Sequence, residues 1–457
     1  MSAAADTSNR WLVRSLVIAQ FGPAFMFSGV AVALPSMGEE LAMSATGLGL
    51  VETTFVASST AFLLPAGRIA DILPRGVIFR VMLTAFGLLS LLLGCVSSGW
   101  LVLALRFLQG CTAAMASATG PALLTDLVPP ERRGRVLGAM MGTAYAGLAL
   151  GPFAAGWLVE TLGWRSVFFV GGAQILIGGL PVLLRRIDKW RAPTSGLHVP
   201  SSLCIVLGIG SVVAAVSAGE REASPWPWAL AAAGLLSAFL WWQLRLREPL
   251  LDLRLLRGNA LLRSALVVQM LLYLNAYCSI FLLSLFLQVG KGMDARDAGI
   301  WLAVGSIVMA CIAPNAGKLA DRTRPESVAA SGVVFLVLSS VCGFLLPPDA
   351  STWMVGGVLA LQGVGFGLFS SPNLSLILSS VPQTRSGFAS AIAAQSRGIG
   401  MFSGMAVSAG LIAASFGSRS VRSEPGAVHG VLHDAYGVLL VTTLIALVWS
   451  RVARPRR

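Results

Sequence analysis

Gly67-Arg68-Ile69-Ala70-Asp71 returns as Gly317-Lys318-Leu319-Ala320-Asp321, each copy closing a long apolar run. The offset is 250 residues (317 − 67). Other positions keep step at an offset of 253 (362 − 109): Leu108-Gln109-Gly110 with Leu361-Gln362-Gly363, Val128-Pro129 with Val381-Pro382, and Gly147 and Gly151 with Gly400 and Gly404. Register kept through three successive apolar segments marks a duplicated helical bundle, an architecture on which many transporters are built.

Apolar residues make up 56% of the 457-residue chain and charged residues only 12%. A soluble domain carries about 25% charged residues. Fourteen apolar runs follow one another, near 14–36, 47–68, 77–98, 100–123, 135–159, 164–184, 199–219, 226–244, 262–288, 296–319, 327–347, 351–380, 387–415 and 435–451. About 20 residues suffice to cross ~30 Å of hydrocarbon as a helix, so an integral membrane protein is expected. Met1–Arg14 reads as a short polar leader without a cleavable signal.

Of the 33 Lys and Arg residues, 25 fall on the inner segments if the N-terminus is inside and 6 on the outer ones, with Arg106 and Arg397 within spans. The positive-inside rule then puts both termini in the cytoplasm, and the expected location is the plasma (inner) membrane. The net charge of +13 faces anionic lipid rather than nucleic acid. The six cysteines all lie in expected spans without a CxxC pair, and His429 and His433 lack further ligands nearby, so no metal site is expected.

The repeat pairs spans one to six with spans nine to fourteen, and spans seven and eight have no counterpart. The expected domains are an N-terminal six-helix bundle over 1–190, an inserted two-helix hairpin with its inner linker over 191–258, and a C-terminal six-helix bundle over 259–457.

Several motifs occupy fixed slots in this layout. They include Gly67-Arg68-Ile69-Ala70-Asp71 with Arg75 between spans two and three, and Arg106-Phe107-Leu108-Gln109-Gly110 in span four. Gly147-Leu148-Ala149-Leu150-Gly151-Pro152-Phe153-Ala154-Ala155-Gly156 lies in span five. In this order they resemble motifs A, B and C of the major facilitator superfamily, in its fourteen-helix drug:proton antiporter branch. The resemblance implies an all-α polytopic membrane protein with the major facilitator fold, two pseudo-symmetric six-helix bundles plus two inserted helices. It also implies alternating access with a proton gradient as energy source and no bound cofactor. Gly67, Arg68, Asp71 and Arg75, with Asp126 and Arg132 on the next inner loop and Asp321 in the repeated copy, would form a conformational switch. Gly147, Gly151, Pro152 and Gly156 form a helix-packing motif, because missing side chains let backbones approach and proline bends the helix. The sequence departs from the branch in span one, where Met26 stands at the usual Asp position.

Ionisable residues inside spans are costly and so are functional candidates. Glu52 and Arg106 lie about six residues in from the outer ends of spans two and four, roughly 9 Å deep at ~1.5 Å per residue. Equal depth permits a pair, either a proton-coupling carboxylate tuned by its arginine or a permanent ion pair. Gln109, one turn below Arg106, continues a small polar stripe suited to a cavity. Arg397 near the middle of span thirteen, with Gln395, fits an anionic substrate group or a carbonyl cap. Span nine carries Gln269, Tyr273, Tyr277, Ser284 and Gln288 in one row, which suits an amphiphilic ligand or interhelical hydrogen bonding.

The expected function is secondary active transport, proton-coupled efflux of small amphiphilic organic compounds or drugs, by a monomer. The alternatives are an uptake carrier or facilitator without proton antiport, and a non-transporting polytopic membrane partner. An enzyme is not expected, since the outer loops are short and hold no clustered catalytic set.

Overall fold

The computed structural model describes residues 3–452 apart from 129, 185–195, 219–222, 247–248, 383–385, 418 and 422–423. The described chain is helical throughout its length. Helices α1 (Ala3–Ala19) and α2 (Phe21–Glu40) form one span bent at Gln20, followed by α3 (Ala45–Ile72), α4 (Arg75–Leu93) and α5 (Gly99–Leu127). Next come α6 (Pro130–Leu162), α7 (Arg165–Leu184), the pair α8 (Val199–Ala218) and α9 (Trp226–Arg245), and the short α10 (Leu253–Gly258). The second set is α11 (Ala260–Leu285, prolonged by a π-turn to Gly290), α12 (Ala295–Arg322), α13 (Pro325–Phe344), α14 (Thr352–Ser379), α15 (Ser386–Phe416) and α16 (Ala427–Val452).

Local chemistry sets the ends. Ser44 caps α3 by accepting from the Gly47 N–H at 2.9 Å, and Asn259 caps α11 by accepting from Leu262 N–H at 2.9 Å. Gly163 and Gly417, with φ of +81° and +58°, follow the last residues of α6 and α15, the fifth helices of the two repeats. A left-handed residue there closes a helix, and glycine adopts it without a Cβ penalty.

Thirteen helices among the described residues are long and apolar enough to cross a membrane, against the fourteen spans expected. The remaining expected span, 135–159, falls on α6, where several residues lie outside those described. Several helices exceed ~20 residues because they continue past the hydrocarbon. Large apolar side chains such as Leu88, Leu150, Ile177 and Val441 stay exposed around the perimeter, as a lipid solvent allows.

Packing follows the repeat. α3 lies on α5 as α12 lies on α14, α2 on α6 as α11 on α15, and α4 on α7 as α13 on α16. The two sets meet where α3 packs on α15 and α6 on α12. The hairpin sits outside this frame, α8 against α3 and α15 and α9 against α8. The expected boundary at 190/191 lies outside the described residues.

Candidate functional site: a closed seam, a buried ion pair and a cleft

Faces are named here by the charge bias of the loops. Every described hydrogen bond between the two six-helix sets lies between the outer end and the level of Thr60. The Ala45 N–H donates to Arg419 O at 3.0 Å, Thr46 Oγ1 to Gly417 O at 3.0 Å and Thr53 Oγ1 to Met405 O at 3.4 Å. Ser284 Oγ donates to Ala31 O at 3.0 Å and Gln288 Nε2 to Val32 O at 3.1 Å. Deepest are Thr60 Oγ1 donating to Gly398 O at 2.9 Å and Gln395 Nε2 donating to Thr60 O at 3.3 Å. Farther in, Gly67 and Gly142 have open space where a side chain would stand. The described bonds therefore shut the seam outside and none bridges the halves farther in; that inner interval between the halves is termed the cleft.

Above the cleft, Glu52 on α3 and Arg106 on α5 are the only charged residues among the described buried ones. Both begin seven residues below their helix starts, so the helices bring them to one level. Arg106 Nη2 donates to Glu52 Oε1 at 2.7 Å, with both side chains 1% exposed. Arg106 also donates to Val51 O at 3.3 Å and Gln109 Oε1 at 2.8 Å, and Gln109 Nε2 donates to Ser90 Oγ at 2.8 Å. The guanidinium carbon stands 4.4 Å from the Phe55 ring centroid. One group is left over: Glu52 Oε2 is buried without a hydrogen-bond partner. Each guanidinium nitrogen is thus engaged, while one carboxylate oxygen is not.

Aromatic rings connect this pair to the second half. Phe27 of α2 has its centroid 6.0 Å from Phe55 and 4.7 Å from Tyr277 of α11. Tyr277 stacks on Tyr273 at 6.2 Å, and Tyr273 meets Phe366 of α14 edge-on at 5.5 Å. Phe27, Tyr273 and Tyr277 are half-buried and border the cleft. Sequence reasoning missed Phe27 and Phe55, because apolar rings in an apolar span carry no distinguishing signal.

The row read along span nine does not share one surface. Gln269 is 3% exposed, donates to Ala393 O at 2.6 Å and accepts from Asn373 Nδ2 at 3.2 Å. That corrects its expected place in the cavity: it is a satisfied interhelical link. Gln109 is likewise fully buried beside Arg106 and Ser90, so it supports the ion pair rather than lining the cleft. Gln395 belongs to the α3–α15 seam. Arg397 is half-buried and has neither hydrogen bond nor ion pair among the described residues.

Gly147 and Gly151 press α6 onto α2, where a Cβ at 147 would stand 2.6 Å from Phe21 O and one at 151 would stand 2.8 Å from Phe25 O. Pro152 and Gly156 instead face α12 of the other half. Met26 is 1% exposed and rests on Gly171 of α7, away from Glu52. At the inner face, Arg68 Nε donates to Gly196 O at 3.4 Å and Arg75 Nε to Ala70 O at 3.3 Å. The side chains of Asp71, Asp126, Arg132 and Asp321 lie outside the described residues.

The profile of the Major Facilitator Superfamily matches residues 16–405. The puromycin resistance protein pur8 of Streptomyces alboniger is 29% identical over 445 residues, covering 92% of this chain and 87% of the relative. The multidrug resistance protein Stp of Mycobacterium tuberculosis (strain CDC 1551 / Oshkosh) is 27% identical over 395 residues, covering 84% of this chain and 72% of the relative. Among solved structures, a bacterial homolog of the human lysosomal transporter Spinster, inward-facing and unoccupied, superimposes with a TM-score of 0.69 at 16% identity. That match covers 98% of this chain and 97% of the other.

Proposed function

The chain belongs to the major facilitator superfamily, and from that premise we propose that it is an efflux transporter of small organic compounds driven by proton entry. Relatives named for puromycin and multidrug resistance support export as the direction. The described spans make it a multi-pass membrane protein. The charge bias of the loops supports cytoplasmic termini, and the plasma (inner) membrane is the proposed location. Residues 1–190 and 259–457 are read as the two rocking bundles, with 191–258 as an accessory hairpin.

The observation that carries proton coupling is the unpartnered Oε2 of Glu52 beside the 2.7 Å contact from Oε1 to Arg106. A proton on Oε2 neutralises the carboxyl while Oε1 can still accept from the guanidinium. In the outer-closed form the ionised pair is compensated and dry. Thr53, the next residue, holds the α3–α15 seam through Met405 O. Separating that seam admits water near Glu52, so loading by an outside proton is tied to the outward-open form. A fully buried charge is tolerated when paired and costs several kcal/mol when it is not, which links protonation to conformation.

Tyr273, Tyr277, Phe27 and Arg397 are the proposed substrate surface. Gly67, Arg68, Asp71, Arg75, Asp126, Arg132 and Asp321 form the proposed inner switch, controlling closure rather than contacting substrate. The test uses everted membrane vesicles energised by a proton gradient, with a fluorescent organic compound outside. Uphill uptake should collapse with a protonophore. Glu52→Gln should abolish it while leaving downhill exchange of the compound measurable. Undiminished uphill transport by Glu52→Gln would overturn the assignment of Glu52.

A further inference from the structure

Arg397 lies 11 residues into α15, ~16 Å from the helix start at ~1.5 Å per residue. Its neighbours define the face it occupies. Gly398 touches Thr60 of α3, where a Cβ would stand 3.0 Å from Oγ1, and Gly400 touches Tyr273 of α11, where a Cβ would stand 2.9 Å from that residue's Cβ. Ile399 points to lipid and is 37% exposed. At ~100° per residue, Arg397 lies about 200° from Ile399, between the α3 and α11 contacts. Because α3 and α11 belong to opposite halves, that face is the cleft.

The charges there do not balance. Glu52 already neutralises Arg106, and both are sealed away. Arg397 has no carboxylate, carbonyl or hydroxyl partner among the described residues, so the cleft keeps one uncompensated positive charge at membrane depth. Such a charge is costly in a span and normally faces water, a partner or a ligand. One turn above it, next to Gly400, begins the Tyr273–Tyr277 stack, with Phe27 4.7 Å from Tyr277. A planar guanidinium beside stacked rings fits a molecule with an aromatic body and one anionic group. Arginine holds a carboxylate through two parallel hydrogen bonds, and the rings cover the body.

We propose that the transported compounds are aromatic organic anions, with Arg397 as the residue that selects their charge. This rests on the reading of the cleft as the transport path, and it excludes organic cations as preferred cargo because Arg397 would repel them.

The test uses the purified full chain in lipid nanodiscs and three probes sharing one ring system: 9-anthracenecarboxylate, its neutral carboxamide and 9-(aminomethyl)anthracene. Binding is read by fluorescence anisotropy without any gradient. The anion should bind about tenfold more tightly than the carboxamide, as one charge-assisted bidentate contact allows, and the amine most weakly. Arg397→Gln should erase the difference between anion and carboxamide, and Arg397→Lys should keep most of it. A purely structural arginine would instead weaken all three probes together. A wild-type protein that binds the anion no better than the carboxamide, or an Arg397→Gln variant that keeps the preference, overturns the proposal. Transport in energised vesicles separates the two readings. Gradient-driven movement of the amine or carboxamide in place of the anion sinks the substrate class alone, whereas anion binding without gradient-driven flux sinks the efflux reading and leaves the site.

Discussion

Gly299 of α12 packs onto Gly156 of α6 so closely that a Cβ on Gly299 would stand 3.3 Å from the Gly156 Cα and overlap the Pro152 carbonyl oxygen. A Cβ on Gly156 would stand 2.6 Å from Ala295 O. The duplicated seam is built the same way: Gly49, 250 residues before Gly299, takes a Cβ only at 3.2 Å from Ala409, which lies 253 residues after Gly156. These two backbone-to-backbone contacts close the outer side of the molecule, as small residues do when helices approach without a hydrophobic driving force.

Gly299→Leu should therefore block outer closure while leaving each half folded. Cysteines replacing Ala45 and Arg419, whose backbones are bonded at 3.0 Å, report the seam by disulfide formation. The cross-link should form readily in an otherwise wild-type chain and fall at least about tenfold with Gly299→Leu, since overpacking typically costs 1–3 kcal/mol and 1.4 kcal/mol is tenfold. Gly410→Ala, at a position with open space, serves as the control and should cross-link normally. A seam that still cross-links in the Gly299→Leu protein would mean that α6 and α12 do not set closure.

Met26 stands where the resembling branch carries a span-one carboxylate, which invites the idea that restoring Asp would restore a proton site. The packing argues otherwise. Met26 is 1% exposed and fills the space over Gly171, in the contact between α2 and α7. A carboxyl there meets glycine backbone and apolar helix rather than Arg106. Burying it without a partner costs on the order of 3 kcal/mol. Met26→Asp should lower the unfolding temperature in detergent by several degrees and leave the proton-to-substrate ratio unchanged. A variant that folds as well as wild type and moves an extra proton per cycle would refute this placement of Met26.

How far the sequence carries the reading differs by element. The repeat and the alternation of charged loops were legible because both are one-dimensional signals. The meeting of Glu52 and Arg106 followed from equal depth on helices of equal direction. The row on span nine misled for a geometric reason. Steps of four residues advance about 400°, a drift of about 40° each, so a row from Gln269 to Gln288 winds roughly 100° around α11. Its inner end enters the bundle, Tyr273 and Tyr277 border the cleft, and Ser284 and Gln288 reach Ala31 and Val32 at the outer seam. Gly156 looked like its neighbours Gly147 and Gly151, and only the fold reveals that it faces the other half. No periodicity marks Phe27 and Phe55, since their role depends on which rings of distant helices arrive beside them.

Those rings yield the remaining prediction. Phe27 is the one residue of the chain of rings that reaches across the halves, 4.7 Å from Tyr277 on the far side and 6.0 Å from Phe55 on its own. Phe55 in turn carries the Arg106 guanidinium on its face at 4.4 Å. Closing the outer seam therefore brings Phe27 onto Tyr277, and opening it separates them. Each aromatic pair contributes about 0.5–1.5 kcal/mol beyond its buried area, so losing the Phe27–Tyr277 pair should shift the closure equilibrium about two- to twelvefold. Measured by the same cysteine pair at 45 and 419, cross-linking should rank wild type and Phe27→Tyr first, Phe27→Leu next and Phe27→Ala last. Phe27→Leu keeps apolar bulk and loses only the ring–ring part, which makes it the informative variant. If Phe27→Ala cross-links as fast as wild type, the rings merely fill space and closure rests on the glycine seams alone.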